Sequence, residues 1–263
     1  MLAQVNGQQI EYEIHGMGEP IVMVANIADS PTEWPDPIVP AFEGTGYQVI
    51  TFQNLGPSSS LVRELADDLS ALLTNLRLDP VRLVGYSQGA FVCQELALKH
   101  PDQVRAMTLI ATLGRQTAWF RLLAQSVETA VELALPRNLL AALLLLEGYS
   151  PTLLTNESRV EVLINRLMTA SSPPLDPQSG LLRRSAKASF SYDNRIEALA
   201  DVRVPTLVIA FEHDLWCPPS LGREVANAIR GSEYFEIPNA GHTAAITAAD
   251  QILPRIIEFF SKS

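Results

Sequence analysis

The sequence predicts an α/β fold: a mostly parallel central sheet flanked by helices, with its strand–helix alternation interrupted once by a helical insertion. Three observations carry this. Short apolar, β-branched runs recur along the chain, as covered central strands require. Segments with apolar residues at helical spacing separate them, and such alternation implies parallel strands joined by crossover helices. The stretch from Gly114 to Arg195 has several Leu-rich helical patterns and no strand pattern.

The elements follow in order. Residues 8–14 (QQIEYEI) alternate apolar and polar like a half-buried strand, and 20–25 (PIVMVA) and 48–52 (QVITF) read as buried strands. Between the latter two lie turn residues and a short helical stretch. Ser60 offers a helix N-cap, and Leu61, Leu65, Leu69, Leu72, Leu73 and Leu76 then repeat at helical spacing. A strand over 81–86, a helix over 87–99 and a strand over 104–111 complete the first half. After the insertion come a strand over 205–211, a helix over 219–229, a strand over 232–237 and a last helix over 245–260.

Composition narrows the function classes. The chain has 263 residues, 47% of them hydrophobic and 18% charged, which is a globular composition large enough for a substantial core. A net charge of −10 without a basic stripe argues against a nucleic-acid partner, which needs clustered Lys and Arg. Two distant cysteines, Cys93 and Cys217, argue against a disulfide framework, and with the absence of a signal-like N-terminus they predict a cytoplasmic protein. The longest apolar run, Leu139 to Leu146, is too short to span a bilayer. The sequence leaves monomer and homodimer equally open.

The chemistry centres on LVGYSQGA at 83–90. Gly85 and Gly89 bracket Ser87 where a strand ends and a helix begins. Small flanking residues let strand and helix approach closely while a strained serine projects its hydroxyl above the sheet edge. The helix N-terminus adds N–H groups and a positive dipole suited to an oxyanion. A serine needs a base to become a nucleophile. Of the four histidines, His15 falls in a polar turn and His100 at a helix end, whereas His242, in NAGHTAA, follows the last strand at the carboxyl edge where ligands gather. The segment VIAFEHDLWCPP offers Asp214 as the carboxylate orienting the imidazole, with Glu212 as its rival. The histidines are too scattered for a metal site. Gly16-x-Gly18 and Gly44-x-Gly46 lack a dinucleotide fingerprint, so no cofactor is expected.

With GYSQG, EHDLWCPP and NAGH in that order, the chain resembles the α/β-hydrolase superfamily over nearly its full length, in its serine-nucleophile, cap-containing esterase, lipase and thioesterase branch. The resemblance implies an α/β-hydrolase core over 1–113 and 196–263, with 114–195 as a helical cap covering the site. It implies Ser87 as nucleophile, Asp214 as acid and His242 as base, with backbone N–H groups of Ile27 and Gln88 forming the oxyanion hole. Two departures stand out. Ala25-Asn26 replaces the family's usual His-Gly, and Gln53-Asn54-Leu55 replaces an Asp-x-Arg pattern. Asn26 and Trp216 are therefore candidate modulators of the site. Trp34, Trp119, Phe120 and Trp216 are candidates to line the pocket or simply fill core.

The expected function is hydrolysis of an ester, thioester or lactone of an apolar small molecule through an acyl-enzyme. Two alternatives remain: the same triad used for acyl transfer, cyclisation or C–C cleavage, and a non-catalytic receptor on the same fold.

Overall fold

A computed structural model describes residues 1–25, 38–42, 44–53, 61–78, 80–169 and 187–263. Their strands form one sheet of eight, in the order β1-β2-β4-β3-β5-β6-β7-β8. The strands are β1 (Leu2–Val5), β2 (Gln8–Gly16), β3 (Glu19–Val24), β4 (Tyr47–Phe52), β5 (Val81–Tyr86), β6 (Val104–Ile110), β7 (Thr206–Phe211) and β8 (Glu233–Ile237). Pairings β1–β2 and β2–β4 are antiparallel; from β4 through β3 to β8 all are parallel. The parallel strands are the continuous apolar runs, and β5, β6 and β7 are buried on both faces.

β1 was not among the expected strands. Its signal was Asn6-Gly7, a pair suited to a tight hairpin because both residues adopt positive φ, 48° and 80°. His15, expected in a turn, lies instead at the end of β2, half-exposed and 3.3 Å from Glu13.

Helix α1 (Val62–Leu76) buries Leu65, Leu69, Leu72 and Leu73 against the sheet, each such side chain stabilising by about 1.5–3 kcal/mol. Its cap position is Leu61, whose N–H donates to the Glu64 carboxylate at 3.1 Å; Ser60, the expected cap, lies outside the described residues. Helix α2 (Gln88–Lys99) is almost wholly buried.

Between β6 and β7 come α3 (Ala118–Glu132), α4 (Arg137–Gly148), α5 (Pro151–Leu154), α6 (Glu157–Thr169) and α7 (Ile196–Leu199). Ala130 and Leu140 make a small second core there, joined by Leu135, Leu143 and Leu144. Arg195 donates its N–H to Gly114 O (2.8 Å), so the chain leaves and rejoins the sheet layer at one place. The returning chain is fastened to α2. Tyr192 stacks on Phe91 with centroids 4.9 Å apart, and its hydroxyl donates to Gln94 Oε1 at 2.6 Å. Arg195 pairs with buried Glu95. Helices α8 (Pro219–Ala228), α9 (Ala244–Thr247) and α10 (Ala249–Ser261) complete the chain. Among the described residues, no helix is long and apolar enough to cross a membrane.

Candidate active site

Ser87 stands between β5 and α2 with φ 54° and ψ −118°, a conformation that costs a non-glycine residue on the order of 1–3 kcal/mol. The surroundings enforce it. The Ser87 N–H donates to Ile110 O at 2.9 Å. A Cβ on Gly89 would lie 1.9 Å from Val24 O, and one on Gly85 would lie 2.7 Å from both Cys93 Sγ and Gly89 O. Glycine at both positions is therefore a steric requirement of the close strand–helix approach.

The other two residues arrive from the loops after β7 and β8. Asp214 is buried, and its Oδ1 accepts the backbone N–H groups of Trp216 and Cys217, each at 2.8 Å. Both carboxylate oxygens approach His242 Nδ1, at 2.9 and 2.8 Å. A carboxylate in this arrangement can only accept, so Nδ1–H donates and Nε2 is left to accept from the Ser87 hydroxyl, 3.0 Å away. The structure thus brings Ser87, His242 and Asp214 into one hydrogen-bonded line. Glu212 points elsewhere: its Oε2 accepts the Asn239 N–H at 2.7 Å.

Several contacts hold the imidazole. The Tyr86 hydroxyl donates to His242 O at 2.6 Å, and burial beside Asp214 pushes that phenol well above its usual range, keeping it protonated. The rings of Tyr86 and Trp216 lie 5.6 and 6.1 Å from the imidazole. Phe120 of α3 meets Trp216 edge-on at 5.9 Å, so the helical segment reaches the acid loop. Trp119 is half-exposed, with its indole N–H donating to Leu215 O at 2.7 Å.

Asp214, Cys217 and His242 place ligand-type atoms within 4.8 Å of one another. The Asp214 and His242 atoms already engage each other, and burial beside Asp214 pushes the Cys217 thiol upward, away from the thiolate a metal requires. The set is a hydrogen-bonded acid–base pair beside a neutral thiol.

Gln88 opens α2, as expected, and its side-chain amide donates to Ser189 Oγ at 2.8 Å. Asn26, Ile27, Trp34, Asn54 and Leu55 lie outside the described residues; Gln53 ends the β4 region with its N–H donating to Glu11 O at 2.8 Å. His100 caps the end of α2, 4.0 Å from Asp67.

Sequence reasoning passed over Tyr86, although it sits inside the quoted motif, and Glu147. The latter closes the apolar run NLLAALLLLEG, and a lone acid ending such a run was its signal. Glu147 is buried beside His242 and Trp216, and its carboxyl is pushed up to about 7 because burial disfavours the charge, with His242 and a Trp216 hydrogen bond opposing the rise.

Comparison with known proteins places these features in context. A family model described as "alpha/beta hydrolase fold" matches residues 14–249. A Mycobacterium tuberculosis H37Rv protein named "Putative non-heme bromoperoxidase BpoC" is 32% identical over 262 residues, covering 96% of this chain and 97% of that protein. Its crystal structure matches with a TM-score of 0.86, at 30% identity, over 96% of each chain. "Pyrrolizixenacetamide deacetylase" of Xenorhabdus hominickii is 28% identical, covering 95% of this chain and 94% of its own.

Proposed function

The chain belongs to the α/β-hydrolase family, and from that premise we propose that it is a serine hydrolase cleaving an ester, thioester or lactone of an apolar small molecule. The observation that carries this reading is the line from Ser87 Oγ through His242 to Asp214, at 3.0 Å and then 2.8 Å. Ser87 Oγ attacks the acyl carbon while its proton passes to His242 Nε2, and Asp214 holds the charged ring in place. The N–H of Gln88, at the start of α2, and that of Ile27 hold the developing oxyanion. His242 returns the proton to the leaving group, then activates water to free the acyl group. The chemistry requires no cofactor. The segment 114–195 serves as a cap, and its Phe120 meets Trp216 of the acid loop to form an apolar wall near the base.

The test is labelling with a fluorophosphonate and mapping of the modified peptide, followed by hydrolysis of p-nitrophenyl esters of increasing acyl length. Label on Ser87, lost in Ser87→Ala, and a preference for longer acyl chains are expected. A wild-type protein that leaves Ser87 unlabelled and turns over no ester refutes the reading.

The departures Ala25-Asn26 and Gln53-Asn54-Leu55 favour a second reading, in which the acyl group passes to an acceptor other than water. Faster ester consumption with added hydrogen peroxide, and a peracid product, distinguishes it.

A further inference from the structure

The helical segment is fastened to the loop that carries His242. Gly148 O, at the end of α4, accepts both the N–H of Thr243 (2.9 Å) and its hydroxyl (2.6 Å). Thr152 Oγ1 donates to Asn239 Oδ1 at 3.2 Å. The backbones are in contact as well: a Cβ on Gly241 would lie 2.6 Å from Gly148 O and 2.8 Å from Tyr149 Cα. The residue before Gly148 is therefore delivered to the residue before Thr243 by a backbone clamp.

That residue is Glu147. It is 7% exposed, and its Oε2 is buried without a hydrogen-bond partner among the described residues. Leaving a buried carboxyl oxygen unpaired costs stability, and an apolar residue would serve the packing better, so folding alone gives no reason for an acid here. Among the described residues, what acts on it is the desolvating burial, the charge of His242 and the hydrogen bond from Trp216, with no lysine or arginine. Behind the imidazole stands Asp214. Among the described residues, the other titratable neighbours of the site are Cys217 and Tyr86, both held neutral by burial and by Asp214, and Tyr149, which acts on Tyr86.

We propose that Glu147 is a positioning residue for His242: a second carboxyl, supplied by the helical segment rather than the sheet, whose negative charge stabilises the imidazolium formed when His242 takes the Ser87 proton. The proposal rests on the hydrolase reading above. No proton leaves the Ser87–His242–leaving-group path. As the Oγ–acyl bond forms, the ring gains one positive charge between two carboxyl groups, and it loses that charge when the leaving group departs with the proton. A carboxyl pushed up to about 7 is charged above that pH and neutral below it, so the assistance has its own pH dependence.

The test compares full-length wild type with Glu147→Gln and Glu147→Asp in ester hydrolysis from pH 5.5 to 9, alongside the fluorophosphonate labelling rate of Ser87. Glu147→Gln is expected to lower kcat by about tenfold at pH 8.5, equivalent to one pH unit of differential interaction, and the deficit is expected to vanish near pH 5.5. Glu147→Asp recovers part of the pH-dependent difference. A ratio of wild type to Glu147→Gln that is constant across pH, or no loss at all, overturns the proposal, because a packing defect has no reason to follow that titration. Independently of turnover, the His242 ring is followed by NMR. In the wild type its resonances are expected to move with a step belonging to Glu147, and the absence of that step overturns the proposal even if Glu147→Gln fails to fold. If Ser87 neither labels nor turns over substrate while the Glu147 step persists in the His242 resonances, the hydrolase reading fails and the charge contact stands.

Discussion

Glu147 makes the stability of this protein depend on pH in a direction opposite to that of most carboxylates. Between pH 4.5 and about 7 the folded chain keeps the Glu147 proton while the unfolded chain has released it. The native state then binds more protons, so stability falls as pH rises through that window and is fully retained only below it. The rise from 4.5 to about 7, at 1.36 kcal/mol per unit, corresponds to roughly 3 kcal/mol. Glu147→Gln keeps the shape, has no proton to lose, and removes this term. Urea unfolding of both proteins at pH 5, 6, 7 and 8 measures it. The variant is expected to be close to wild type at pH 5 and to gain on it steadily, becoming more stable by pH 8 by most of that amount. Taking the difference between proteins at each pH cancels the other titrating groups, which both share. A difference that stays flat from pH 5 to 8, or that runs the other way, refutes the placement of a buried carboxyl at this position. A variant more stable but slower than wild type would match the usual exchange of stability for activity at a strained site.

Asp214→Asn is expected to lower kcat by roughly three to four orders of magnitude, because an amide in place of the carboxylate no longer holds Nδ1–H or the charged ring. Glu212→Gln should stay within a few-fold of wild type, since Glu212 serves the Asn239 backbone instead; equal losses from the two would contradict the assignment of the acid. Gly89→Ala drives a Cβ against the Val24 carbonyl and is expected to destabilise by roughly 3 kcal/mol or more, and a variant with an unchanged Tm would show that the elbow is not so tightly closed.

The sheet and the three aligned residues were legible because each depends on a local pattern. Val81–Tyr86 reads as a buried strand from its own six residues, and the glycines around Ser87 announce a tight turn within five. Asp214 and His242 follow the ends of recognisable strands, so their loops land on one edge of the sheet. Asp214 and Glu212, two residues apart on one loop, look alike in the sequence and differ in direction: one carboxylate faces the imidazole and the other faces Asn239.

By itself, then, the sequence determined the order of the strands from β2 onward, the family, and the three polar residues that meet at the sheet edge, because periodicity and turn chemistry act over a few residues. Only the tertiary structure decided what surrounds the base. The Tyr86 hydroxyl reaches His242 across 156 positions, and Gly148 clasps Thr243 across 95. Such pairs leave no periodic trace, since each member looks ordinary among its neighbours in the chain. Glu147 looked like the polar end of an apolar helix. Its burial, its unpaired oxygen and its place beside His242 exist only once the helical segment has packed down on the loop after β8, where lost hydration turns an ordinary side chain into a charge the site must accommodate.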